Sequence, residues 1–152
     1  MTLTLDIFIH LEAVDRNAWQ GLPDDRPLTD IGAEQADRVT DALNTARVDA
    51  IFSSPVLRCR QSVEPLAILH RLPIEVTLLT GFALLQEVYA AVPNGRAVLC
   101  TTGDVVPPLM ATLGEAWGVP VPPRDTRRGV VFSLTYDGST GTLSSRDLGV
   151  GS

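Results

Sequence analysis

Apolar residues occur in short runs that alternate with stretches of helical spacing, and this pattern predicts strands and helices in alternation. Residues 3–10 form the first run, which is apolar on both faces at positions 7–9, as in a central strand that is covered on both sides. Apolar residues then recur at helical spacing from 36 to 46, behind Thr29 as the helix N-cap. The chain therefore begins as a strand followed by a helix.

The same order continues along the chain. We predict further strands over 48–53, 74–79 and 97–101, and helices from Pro55 onward with a kink or restart at Pro65, over 83–91 and over 106–117. A proline-rich connector, 119–123, precedes a β-hairpin with strands over 129–136 and 142–148. We expect one α/β domain over residues 1–152, with three layers: a mostly parallel sheet, helices on both faces, and a β-hairpin at the end.

A segment after the second predicted strand has the geometry that binds phosphate. In IFSSPVLRCRQS, residues 51–62, a strand ends in Ser-Ser-Pro and a helix follows, so Arg58 falls in its first turn. A helix N-terminus favours an anion, and arginine adds a bidentate charged contact. The ligand crevice of a parallel sheet lies at the carboxyl ends of its strands, where His10, Ser53 and Thr102 all fall. We expect these three distant segments to converge on one crevice.

The amino-acid composition argues against several functional classes of protein. The formal net charge of -6 argues against nonspecific nucleic-acid binding, because that binding needs a basic face. No window reaches the ~18 uncharged apolar residues of a membrane span, and Asp6 stands where a signal peptide needs a basic flank, so we expect a cytoplasmic protein without a membrane segment. Cys59 and Cys100 lack CxxC or zinc-ligand spacing, which favours two buried reduced thiols over a disulfide and gives no support to a metal site, and we expect no cofactor.

The motifs resemble those of the histidine phosphatase superfamily, which has the phosphoglycerate-mutase-like fold, and especially its short bacterial members. The matching strings are DIFIHLEAVDR, RPLTDIGAEQA, SSPVLR and VLCTTGD. The resemblance implies that His10 stands at the position of the nucleophile that becomes phosphorylated, and that Arg58 holds phosphoryl oxygens. It also matches Arg16 to a pocket-edge arginine of close relatives, with an exposed loop arginine as the alternative, and it places Arg128 at the rim.

Three positions depart from the family pattern. Ile9 replaces the arginine of the Arg-His-Gly motif, and Thr102 replaces the second histidine of a Cys-Thr-His-Gly-Asp string. Thr80 stands where the closest relatives carry an acidic residue. His70, the only other histidine, lies near the end of the helix after Arg58 and does not replace the missing one. We therefore expect Thr102 to offer a bound phosphoryl group only a neutral hydrogen bond, and catalysis to be lost or severely impaired.

The first functional hypothesis is accordingly a degenerate histidine phosphatase that acts as a binding or regulatory module for a small phosphorylated ligand or a partner protein. Two alternatives stay open, as does the oligomeric state. One is an active phosphomonoester or phosphohistidine phosphatase with His10 as nucleophile. The other is a structural or interaction protein whose pocket is incidental. Phosphate held between His10 and Arg58 favours the first two hypotheses, and a closed apolar crevice favours the third.

Overall fold

The computed structural model describes residues 1–150, which form a six-stranded sheet flanked by four α-helices. The strands are β1 (Leu3–Ile9), β2 (Ala50–Ser53), β3 (Ile74–Val76), β4 (Gly95–Thr101), β5 (Val130–Tyr136) and β6 (Gly141–Asp147). The helices are α1 (Asp30–Leu43), α2 (Leu57–His70), α3 (Gly81–Ala91) and α4 (Val106–Trp117), with a 3-10 turn at Pro23–Asp25. None of the helices within residues 1–150 has the length and hydropathy that a membrane span requires.

The sheet has the strand order β3-β2-β4-β1-β5-β6. The first four strands run parallel, whereas β5 is antiparallel to β1 and β6 is antiparallel to β5. Buried side chains of α3 and α4 pack on one face of the sheet, and those of α1 and α2 pack on the other. The predicted three-layer α/β fold with its mostly parallel sheet and terminal hairpin is confirmed. Cys59 and Cys100 are buried free thiols of the second face, as expected.

Several element boundaries differ from the sequence-based prediction. Helix α2 begins at Leu57 rather than at Pro55, because the Ser54 N–H still bonds to the Cys100 carbonyl oxygen and Val56 is extended. The prediction that Pro65 restarts this helix is wrong, since α2 runs unbroken to His70. Strand β3 stops at Val76, after which the chain turns toward α3. The starts of β2, β4 and α3 shift by two residues each, the bounds of β1, β5 and β6 shift by one residue, and α1 ends at Leu43, before position 46.

A buried ion pair joins the central strands. Asp6 on β1 is 3% exposed, and it accepts hydrogen bonds from Arg96 of β4, at 2.8 Å from Nη2, and from the Ser133 hydroxyl of β5. Arg96 also donates from Nη1 to the Leu43 carbonyl oxygen at the end of α1, at 2.8 Å. Because a buried charge needs partners of this kind, the pair holds the three strands and α1 in a defined arrangement. The parallel register, which pairs Ile9 with Thr101, sets the carboxyl ends of β1 and β4 side by side.

Candidate functional site

His10 follows β1 directly, and its backbone N–H donates to the Thr101 carbonyl oxygen of β4 at 3.1 Å. Ring atom Nδ1 lies 2.9 Å from the Leu11 carbonyl oxygen. A carbonyl oxygen can only accept a hydrogen bond, so this contact assigns the proton of a neutral ring to Nδ1 and leaves the lone pair on Nε2. The half-buried ring therefore has a free Nε2 that can accept a proton or attack an electrophile.

The His10 ring is neutral at physiological pH. Burial is the main reason that its pKa is lowered from 6.5 to about 4. Positive charges nearby, with Arg58 foremost, also lower the pKa, whereas the hydrogen bond to Leu11 opposes the fall. Both lowering effects follow from the cost of placing an imidazolium in a partly buried and positively charged setting.

Four arginines gather around two adjoining cavities beside His10. The first cavity has a volume of about 550 Å³, and its walls include His10 together with Arg16, Arg26 and Arg128. The second has a volume of about 450 Å³; it shares Arg16 and Arg26 with the first and adds Arg58. We call these two cavities together the arginine pocket. The structure thus places Arg16 and Arg128 in the same cavity as His10, and Arg58 in the neighbouring one.

Arg58 is the second residue of α2 and reaches back toward the 3-10 turn. Its Nη1 donates to the Pro23 carbonyl oxygen at 3.2 Å. Its Nε is buried and finds no acceptor among residues 1–150. Buried polar groups nearly always have a hydrogen-bond partner, so this unpaired donor is an exception, and it could serve an anion in the pocket only after the side chain moves to expose it.

Arg26 is the one deeply buried arginine of the pocket, with 8% of its surface exposed. Its Nη1 donates to the Val14 carbonyl oxygen at 2.7 Å. The isolated bridge between Ala13 and Leu28 brings the loop after β1 against the segment that carries Arg26. Burial, followed by repulsion from neighbouring arginines, lowers the pKa of Arg26. Arg26 is not among the site residues predicted from the sequence, although it begins the string RPLTDIGAEQA, shortly before the Thr29 N-cap. The Thr29 side chain accepts a hydrogen bond from the Gly32 N–H.

The arginine pocket has more positive charge than its surroundings neutralise. In the part of the chain that the structure describes, the ion pairs involve other arginines, and none of the four pocket arginines takes part. Glu12 and Asp15 also line the first cavity, and Asp15 offsets part of the repulsion at Arg26. Like charges that are held close together repel, and the repulsion grows as water is excluded. This positive site, on a chain with a formal net charge of -6, therefore suits an anion.

The residues at the positions that depart from the family pattern supply no charged donor to the cavity that contains His10. Ile9 lines the His10 cavity and offers it no donor. Thr102 lies directly after β4, and its hydroxyl donates to the Asp104 carboxylate. Thr80 precedes α3 and lines a separate cavity of about 90 Å³ together with Ser54. The structure does not bring Thr80 or the Thr102 hydroxyl into the cavity that His10 lines.

Comparison with known protein families finds a match over residues 12–83. The sequence model of the histidine phosphatase superfamily (branch 1) matches residues 12–83, which include Arg16, Arg26 and Arg58. Over these residues the chain matches the histidine phosphatase superfamily. The matched region also contains the 3-10 turn and the first turn of α2, so it covers most of the arginine pocket.

Relatives of known name agree with this assignment. The 8-oxo-(d)GTP phosphatase of Mycolicibacterium smegmatis is 27% identical over 164 residues, which cover 96% of this chain and 48% of that protein. The chain therefore spans about half the length of this curated relative. Two solved structures share the histidine phosphatase fold at lower identity. Bacillus stearothermophilus YhfR matches with a TM-score of 0.73 at 19% identity, covering 99% of this chain and 100% of its own. The protein histidine phosphatase SixA, solved in complex with tungstate, matches with a TM-score of 0.66 at 21% identity, covering 95% and 97%.

Proposed function

We propose that this protein binds a small phosphorylated ligand in the arginine pocket and acts as a binding or regulatory module whose phosphatase turnover is lost or severely impaired. One observation carries the proposal: four arginines without carboxylate partners in residues 1–150 line two adjoining cavities, one of which contains a neutral, oriented His10. Arginine donors match the oxygens of a phosphoryl group in geometry and charge. The names of two relatives support this ligand class, because tungstate is a tetrahedral oxyanion and 8-oxo-(d)GTP is a phosphorylated small molecule.

Impaired turnover follows from what Ile9 and Thr102 cannot do. Phosphoryl transfer depends on charged donors that hold the equatorial oxygens as charge develops. Removing one such stabiliser typically costs about 10²- to 10³-fold in rate, although two losses in one catalytic unit do not add. Ile9 has no polar atom in its side chain, and the Thr102 hydroxyl is already engaged with Asp104. An ordinary turnover of ~10 s⁻¹ would fall to about 0.1–0.01 s⁻¹ after one such loss, and lower after both.

Calorimetric titration with inorganic phosphate tests the binding proposal. We expect the wild type to bind phosphate with a dissociation constant in the millimolar range, because a few charged hydrogen bonds of about 1.5–3 kcal/mol each must offset desolvation and lost freedom. Arg58→Ala and Arg128→Ala should each weaken binding by about tenfold or more, since each removes a charged donor. The affinity should also fall with added chloride salt, because the exposed part of the attraction is screened.

Arg38→Ala is the matched control for this titration, because Arg38 is an exposed arginine on α1 and lines neither cavity of the pocket. It should leave the affinity for phosphate unchanged. The binding proposal fails if the wild type, Arg58→Ala and Arg38→Ala all show the same lack of response.

A second candidate function, slow phosphatase activity, is favoured by the state of the His10 ring. The neutral ring, with Nδ1 bonded to the Leu11 carbonyl oxygen, has the lone pair on Nε2 that nucleophilic attack requires. In such a reaction the Nε2–P bond would form as the ester P–O bond breaks, and the leaving oxygen would take up a proton. Water would then hydrolyse the phosphohistidine to free phosphate and return His10 to its neutral state.

Assay of the purified protein against p-nitrophenyl phosphate separates the two candidates. We expect no turnover above background for the wild type. Turnover that His10→Ala abolishes would establish the phosphatase instead, because a contaminating enzyme would survive that substitution. Turnover that is equal in the wild type and in His10→Ala would come from a contaminant and would leave the binding proposal intact.

A further inference from the structure

A third cavity, of about 560 Å³, lies between the first half of α4 and the proline-rich connector. Its walls are largely apolar and include Pro107, Met110, Ala111, Val121, Pro123 and Phe132. Met110 and Phe132 are almost fully buried and form its floor, whereas Val121 is 46% exposed. We call this cavity the proline cleft. Prolines in its walls fix the local backbone, so the cleft is formed before any ligand arrives.

The proline cleft adjoins the arginine pocket at Gly103. Gly103 lines both the cleft and the cavity that contains His10. Two consecutive residues also line different cavities: Asp125 lines the cleft, and Thr126 lines the His10 cavity. One continuous ligand can therefore contact both, with Gly103 at the junction.

Ile9 makes one side of the junction apolar, although the walls of the cleft also include Asp104, Arg124 and Asp125. A Cβ atom at Gly103 would stand 3.8 Å from Ile9 Cδ1 and 3.9 Å from Thr126 Cγ2, so these two methyl groups border the junction. An arginine at position 9 would place a charged group there, whereas Ile9 presents an apolar side chain to the His10 cavity beside the junction. The loss of the family arginine thus has a local effect beyond catalysis: it favours an apolar ligand group next to the phosphate.

We propose that the proline cleft binds an aromatic or similarly flat apolar group of a ligand whose phosphoryl group lies in the arginine pocket. The inference rests on the proposed phosphate binding and adds the chemical class of the rest of the ligand. Ligand sites are commonly apolar cavities in which a few polar groups fix the orientation. Here the arginines supply the charged anchor, and the proline rings, Met110 and Phe132 supply the apolar surface.

Titration with two phosphonates tests this assignment without hydrolysis, because a C–P bond does not break under these conditions. Phenylphosphonate and methylphosphonate share the anionic group and differ in the apolar one. We expect phenylphosphonate to bind the wild type about tenfold more tightly, from the apolar surface that the ring buries in the cleft. Ala111→Phe should remove that preference by filling the cleft, while methylphosphonate binds as before.

Ala116→Phe is the matched control, since Ala116 is an exposed alanine of the same helix outside the cleft, and it should retain the full preference. Val121→Ser is a second, smaller change in the cleft wall that should reduce the preference. Equal binding of the two phosphonates by the wild type, or a preference that survives Ala111→Phe, would overturn the cleft assignment and leave the phosphate site standing. If neither phosphonate binds, both the phosphate site and the cleft assignment are contradicted.

Discussion

The double variant Ile9→Arg/Thr102→His is expected to hydrolyse p-nitrophenyl phosphate at least about 100-fold faster than the wild type. Ile9 already lines the cavity that contains His10, so an arginine there would point a charged donor at a phosphoryl group on Nε2. Position 102 directly follows β4, beside the strand that His10 follows, so a histidine there would approach the same group from the neighbouring strand. The two additions supply positive charge where negative charge develops during transfer.

Two control variants test whether the gain in phosphatase activity comes from the arginine pocket. His10→Ala in the background of the double variant should abolish the new activity, because Nε2 is the attacking atom. Ile31→Arg/Thr112→His adds the same residue types at exposed positions of α1 and α4 and should give no gain. If the reconstructed variant folds and is as inactive as the wild type, the missing groups at positions 9 and 102 do not explain the lack of turnover.

The fold could be predicted from the sequence because its signals are local and repeated. Strands that are buried on both faces read as continuous apolar runs, and helices that are buried on one face read as spaced apolar positions. Boundaries were less predictable where a backbone hydrogen bond from a distant strand decides them. The start of α2 is the example, because the bond from Ser54 to Cys100 keeps the chain extended beyond the proline that indicated the helix start.

The candidate site was only partly predictable, for reasons of geometry. His10 and Arg58 could be placed from strand ends and a helix start, since both depend on local sequence. Arg26 could not, because its burial depends on a bridge between the loop after β1 and the segment before α1. The sequence did not predict side-chain directions either. The Thr102 hydroxyl donates to Asp104, and Arg58 donates to the Pro23 carbonyl oxygen.

The second large effect is expected at the His10 ring itself, whose pKa should be about 4 in the protein without phosphate. The unfolded chain would bind a proton at its ordinary pKa of 6.5, so the folded state binds fewer protons between these two values. The free energy of unfolding should therefore decrease as the pH falls from about 6.5 to about 4. A phosphate anion in the arginine pocket would favour the imidazolium and raise the pKa of His10.

NMR titration of the His10 ring protons, with and without saturating phosphate, tests the central claim most directly, and His70→Asn assigns the two histidine signals. The claim is that a neutral, oriented His10 lies in an arginine pocket that accepts a phosphoryl group. It predicts a His10 pKa well below 6.5 that rises when phosphate is added and rises less in Arg58→Ala. A pKa near 6.5 that phosphate leaves unchanged would contradict it.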